Sequence, residues 1–130
     1  MSRILLVEDN EVALRTMTLI LEKGGHSVIK ATDGREALEK LYNESIDIVV
    51  ADILLPHLTG LEMLSKVRDG HFKNDIGIIL VTSLADESTK VTAFKLGADD
   101  YLQKPFSMQE LTSRVETLLA KRQLYSLPLY

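Results

Sequence analysis

Ile4-Leu5-Leu6-Val7-Glu8-Asp9-Asn10 begins as an unbroken apolar run and turns acidic in one step. Consecutive apolar side chains on a strand point to opposite faces, so this run suits a strand covered on both sides, as in a parallel sheet packed between helices. The same signature returns twice. Residues 46–51 run apolar into Asp52, and residues 76–81 run apolar into Thr82-Ser83. Weaker strands are predicted over residues 27–31 and 100–103, the second leading into Lys104-Pro105.

Helical spacing fills the intervals. Leu14, Met17 and Leu21 share a face over residues 12–23, and Gly24-Gly25 supply a stop. Ala37, Leu38 and Leu41 do the same over residues 34–42. Further helices are predicted over residues 60–68, ended by Asp69-Gly70, and over residues 87–96, ended by Gly97. Ser107 and Glu110 have the spacing of a capping box and start a last helix to about Arg122, with residues 126–130 as a tail around Pro128. Five strands alternating with five helices through short connections imply parallel pairing and right-handed crossovers. The predicted architecture is a three-layer α/β/α sandwich with its site beyond the carboxyl ends of the strands.

Composition narrows the function. A chain of 130 residues, 45% apolar and 26% charged, fits one globular domain. The absence of cysteine excludes disulfides, thiolate metal sites and cysteine nucleophiles, and suits a reducing cytoplasm. A net charge of −4 and 5% aromatic residues argue against nucleic-acid binding through phosphate contacts or base stacking. No signal-peptide pattern precedes Glu8, and no apolar run approaches the ~20 residues of a membrane span. His26, His57 and His71 lack metal-ligand spacing and are expected at the surface.

The polar residues at the strand ends are chemically coherent. Glu8 and Asp9 come after the first strand, Asp52 after the third, Thr82 and Ser83 after the fourth, and Lys104 after the fifth. Each alone could be a solvated loop residue or a cap; their convergence on one sheet edge points to phosphoryl transfer. A carboxylate can act as nucleophile and form an aspartyl phosphate. Nucleophile and donor are both anionic, so the repulsion between them needs neutralising. Glu8, Asp9 and Asp52 are oxygen donors of the kind Mg²⁺ takes, Lys104 adds positive charge, and Thr82 adds a hydroxyl donor.

These residues resemble the receiver domain of two-component response regulators. The matching stretches are Val7-Glu8-Asp9-Asn10, Asp52-Ile53-Leu54-Leu55-Pro56 with Gly60, Val81-Thr82-Ser83, and the run from Gly97 to Phe106. The resemblance implies a flavodoxin-like fold with strand order 2-1-3-4-5 and Asp52 as phosphoacceptor. Glu8, Asp9 and Asp52 would hold Mg²⁺ together with the backbone carbonyl of Leu54. Lys104 would pair with the phosphoryl group through a loop whose bond to Pro105 is often cis. Thr82 and Tyr101 would form a switch pair in which the hydroxyl moves to the phosphate and the ring turns inward.

The last third is most similar to the subfamily that carries a winged-helix DNA-binding domain. There, charges matching Lys90, Asp99, Asp100, Glu110 and Arg114 join two receivers through helix four, strand five and helix five. Residues 1–122 are thus assigned to a receiver domain and residues 123–130 to a tail or the start of a linker. The chain would be a fragment of a DNA-binding regulator, the receiver of a hybrid kinase or a stand-alone receiver. It would be a cytoplasmic signalling switch and not an enzyme, phosphorylated by a sensor histidine kinase and open to homodimerisation, with no direct contact to nucleic acid or membrane. Two alternatives differ in class. A flavin-binding electron carrier needs a phosphate cradle where Glu8-Asp9 stand, which would repel it. A receiver-like scaffold that signals without phosphorylation usually lacks an acid or the lysine, and here all are present.

Overall fold

A computed structural model describes residues 2–72 and 76–126. Ten elements alternate along them: β1 (Arg3–Val7), α1 (Glu11–Lys23), β2 (Ser27–Ala31), α2 (Gly34–Asn43), β3 (Ile48–Asp52), α3 (Gly60–Lys66), β4 (Gly77–Thr82), α4 (Glu87–Lys95), β5 (Asp100–Gln103) and α5 (Met108–Ser126). All neighbouring strands pair parallel, in the order β2-β1-β3-β4-β5. This is the flavodoxin-like order.

Strand alternation divides the core in two. Leu5, Val7, Val49, Ala51, Ile78 and Leu80 face one way and meet Ala37 and Leu41 of α2, Met63 and Leu64 of α3 and Ala93 of α4. Ile4, Leu6, Ile48, Val50, Ile79 and Val81 face the other way and meet Met17 and Leu21 of α1 with Leu111, Val115 and Leu118 of α5. Each helix begins on a side-chain cap that satisfies an otherwise orphaned amide: Asn10, Asp33, Thr59, Asp86 and Ser107 accept from Ala13, Glu36, Glu62, Thr89 and Glu110. The reciprocal capping box is complete at Thr59 and Glu62, whose carboxylate accepts from the Thr59 amide.

Three local expectations need correcting. Asp69-Gly70 does not end the third helix; the backbone runs on through a wider π turn, Val67–His71. That turn carries Arg68 to the carbonyls of Ile76 and Gly97, partners distant in sequence. The last helix passes Arg122 and reaches Ser126, because no breaker intervenes before Pro128. Of the expected tail over residues 126–130, Ser126 belongs to this helix and residues 127–130 lie outside the described residues. His26 is not at the surface: its side chain is 7% exposed, with Nε2 2.9 Å from Glu116 Oε1. The Gly24-Gly25 turn, with Gly25 at φ 91°, folds it beneath α5. His57 is exposed and holds a left-handed backbone at φ 66°, while the side chain of His71 lies outside the described residues.

Gly60 is where helix packing meets the site. A Cβ there would lie 2.3 Å from the backbone oxygen of Asp52, which has no flexible side chain to move aside. Gly60→Ala should destabilise the chain by about 2 kcal/mol, read as a lower urea midpoint at unchanged slope.

Candidate functional site

β1 and β3 are neighbours in the sheet, and their connections leave toward opposite edges, β1 to β2 and β3 to β4. A crevice therefore opens at their carboxyl ends. Glu8 follows β1 and is 2% exposed; Asp52 ends β3 and is 8% exposed. Carboxylates at such depth need partners. Lys104, just past β5, serves both: its Nζ lies 2.5 Å from Glu8 Oε1 and 2.9 Å from Asp52 Oδ2. Backbone amides serve the other oxygens. Asn10 N–H donates to Glu8 Oε2 at 3.1 Å, and Leu54 N–H donates to Asp52 Oδ1 at 3.0 Å.

Burial acts to lower the pKa of Lys104, but its hydrogen bonds to Glu8 and Asp52, with their charges, outweigh that and raise it. The lysine is held by its backbone as well. Its N–H donates to Thr82 O at 2.8 Å, extending the β4–β5 ladder one step, and its peptide bond to Pro105 is cis.

Thr82 is fully buried, and its Oγ1 accepts from Leu84 N–H at 3.2 Å. Tyr101 packs against the core with its ring turned in, and its hydroxyl donates to Leu84 O at 3.1 Å. The two side chains of the expected switch pair thus meet the backbone of the same residue. Burial, followed by the negative charges of Asp86 and Asp52, raises the Tyr101 pKa.

Glu8, Asp52 and Lys104 are in direct contact, as convergence on one sheet edge requires, and Asp9 is exposed beside them. Among the described residues, however, no three acidic or histidine side chains are gathered closely enough to hold a metal ion. The expected cluster of Glu8, Asp9 and Asp52 is not formed as such, because Glu8 is turned to Lys104 and Asn10. The donor chemistry still suits Mg²⁺: three carboxylates against one ammonium leave excess negative charge, and every donor, including the Leu54 carbonyl, is a hard oxygen. The Leu54 side chain is exposed, whereas Leu84 packs on the core.

Of the residues expected at a dimer interface, Lys90 and Glu110 are exposed. Asp100 and Arg114 pair within the chain at 3.3 Å, and Asp99 pairs with Arg68 at 2.9 Å. Sequence reasoning missed Asn10, the Leu84 carbonyl and Arg68. Asn10 was readable as the cap before a helix; Arg68 carried no local signal.

Because Lys104 and Tyr101 both have raised pKa values, unfolded chain loses these protons first as pH climbs above their ordinary values near 10. Their contribution to stability is complete below that pH and disappears as pH passes the folded values. The urea midpoint should fall between pH 9 and about pH 11, and less steeply in Tyr101→Phe.

Known proteins resemble the chain throughout this region. The profile of the response regulator receiver domain matches residues 4–116. The alkaline phosphatase synthesis transcriptional regulatory protein PhoP of Bacillus subtilis (strain 168) is 38% identical over 122 residues, which cover 94% of this chain and 50% of that protein. Regulatory protein VanRB of Enterococcus faecalis is 40% identical over 119 residues, 92% of this chain and 53% of that protein. The chain spans about half the length of these curated relatives. A CheY-like receiver domain protein of Methanospirillum hungatei JF-1 superposes with a TM-score of 0.91 at 30% identity, covering 97% of this chain and 99% of that one. The receiver domain of the sensor histidine kinase PA1611 of Pseudomonas aeruginosa PAO1, solved with magnesium coordinated in its active-site cleft, gives 0.84 at 28% identity, covering 92% and 98%. With the family profile spanning most of its length, this chain belongs to the response regulator receiver domain family.

Proposed function

We propose that the chain is a phosphorylation switch in which Asp52 accepts a phosphoryl group from the phosphohistidine of a sensor histidine kinase. The observation that carries this reading is the buried Asp52 carboxylate, held by a lysine ammonium at 2.9 Å at the open end of the sheet. In-line attack by Asp52 Oδ on phosphorus displaces the donor, and Lys104 already faces the oxygens where charge builds. Asp9, Asp52 and the Leu54 carbonyl would hold Mg²⁺, whose charge offsets repulsion between an anionic donor and this acidic edge. Glu8 acts one step back, aiming Lys104. Once Asp52 carries the phosphoryl group as an acyl phosphate, Lys104 moves its ion pair to that group, and the Thr82 hydroxyl gives up the Leu84 amide and donates to a phosphoryl oxygen. That releases the Leu84 amide in the segment to which Tyr101 is tied, and so alters the hold on α4.

The domain is on this account a cytoplasmic signalling switch that promotes its own phosphorylation and dephosphorylation, not a turnover enzyme. Incubated with acetyl phosphate and Mg²⁺, the chain should gain the mass of one phosphoryl group. Omission of Mg²⁺ or Asp52→Asn should abolish the gain; label persisting in either would contradict the assignment.

We further propose phosphorylation-promoted homodimerisation through α4, β5 and α5, with Lys90 of one copy facing Glu110 of the other. Val91 and Phe94, exposed on α4, add apolar area to this face. An Asp100–Arg114 contact between copies would replace the pair already present within each chain, so its net gain is small. Each exposed pair is worth ~0–1 kcal/mol, which makes the dimer weak and salt-sensitive. In sedimentation with beryllofluoride, Lys90→Glu should weaken association more than Arg114→Ala, and adding Glu110→Lys to Lys90→Glu should restore it.

A further inference from the structure

β5 is four residues long and pairs on one side only, with β4. An edge strand has a neighbouring strand on one side only to set its register. Yet β5 carries Tyr101 and leads straight into Lys104, so its register sets the reach of both. At its head lies a dense anchor. Asp99 N–H donates to Ile78 O at 2.8 Å, and Ile78 N–H donates back to Asp99 Oδ2 at 2.8 Å. The same oxygen accepts from Arg68 Nη2 at 2.9 Å. Arg68 also donates through Nε to Gly97 O at 3.0 Å and through Nη1 to Ile76 O at 2.7 Å. One guanidinium thereby joins the approach to β4, the turn before β5 and the carboxylate at the head of β5. Gly97 makes the room: its φ is 107°, and a Cβ there would meet Arg68 Cγ at 2.9 Å.

Arg68 sits in the π turn that continues α3. Insertions of this kind recur at functional positions. The other end of α3 bears on the phosphoacceptor strand: Gly60 N–H donates to Ile53 O at 2.9 Å, and Gly60 lies against the Asp52 carbonyl. A single helical element therefore touches the backbone of Asp52 at one end and clamps the head of β5 at the other.

We propose that Arg68 and Asp99 are positioning residues, a clamp that fixes the register of β5 and so delivers Lys104 to Glu8 and Asp52 and Tyr101 to Leu84. The clamp gives Asp99 a role within its own chain in place of a dimer contact. Its effect on chemistry rests on the reading of Asp52 as phosphoacceptor; its effect on β5 does not.

The test uses the 130-residue chain. Arg68→Met keeps the apolar stem against Gly97 and removes the donors. Leu41→Ala, in the core beneath α2, is the control for general destabilisation. Amide hydrogen exchange by NMR should show the Lys104 amide of Arg68→Met exchanging about tenfold faster relative to the Leu6 amide of β1, with no such selectivity in Leu41→Ala. The labelling rate with acetyl phosphate should fall about tenfold in Arg68→Met and stay within about twofold in Leu41→Ala. Parallel change at Lys104 and Leu6, or, where the wild type is labelled, a labelling rate in Arg68→Met no lower than in Leu41→Ala, would overturn the proposal. Wild-type chain that takes no label while the Lys104 amide is selectively freed would instead support the clamp and refute the reading of Asp52.

Discussion

The Lys104 ammonium between the Glu8 and Asp52 carboxylates is the contact around which the rest of the sheet edge is arranged. Its members come from β1, β3 and the end of β5, so it forms only when the whole parallel sheet is in register. Removing one partner from a buried ion pair costs about 3–5 kcal/mol, because the other charge is left without water. A quarter of the Lys104 side chain is exposed, which puts this cluster toward the lower end of that range. The arrangement is stable but incompletely neutralised: two carboxylates share one ammonium, with the exposed Asp9 carboxylate alongside. On the proposed reading, such a site would attract a divalent cation and exchange its lysine contact when charge is added at Asp52.

The layered fold was legible because burial on two faces leaves a plain mark. Ile4-Leu5-Leu6-Val7 and residues 76–81 have no polar residue to assign to solvent, so they require helices above and below. The strand ends were legible for the same reason, since each polar residue stands where the apolar run stops. The sequence did not disclose contacts made by groups with no local pattern. Arg68 looks like the last exposed residue of a helix, and its carbonyl partners lie 8 and 29 positions away. His26 looks like a loop residue until α5 closes over it. The three acids were expected together as metal ligands, but spacing cannot tell which carboxylate a nearby lysine will claim.

The link from site to surface is short. Leu84 receives Tyr101 through its carbonyl and gives its amide to Thr82, so a change at either end is felt by the segment leading to α4. The ring is already inward and hydrogen-bonded in this structure. Phosphorylation on this account exchanges one of these ties for a contact to the phosphoryl group and so shifts the balance between arrangements of this segment. The apolar side chains of Val91 and Phe94 stand on the helix that would move.

The proposed switch depends on excess negative charge at the sheet edge, and that charge can be measured without any phosphoryl donor. The thermal midpoint should rise with Mg²⁺ concentration along a single-site curve, because a ligand bound only by folded chain stabilises it in proportion to the logarithm of its concentration. The rise should be lost in Asp52→Asn and in Asp9→Asn, while Ca²⁺-free NaCl at matched ionic strength should not reproduce it. A midpoint that does not respond to Mg²⁺, or that responds equally in Asp52→Asn, would contradict this charge-driven switch.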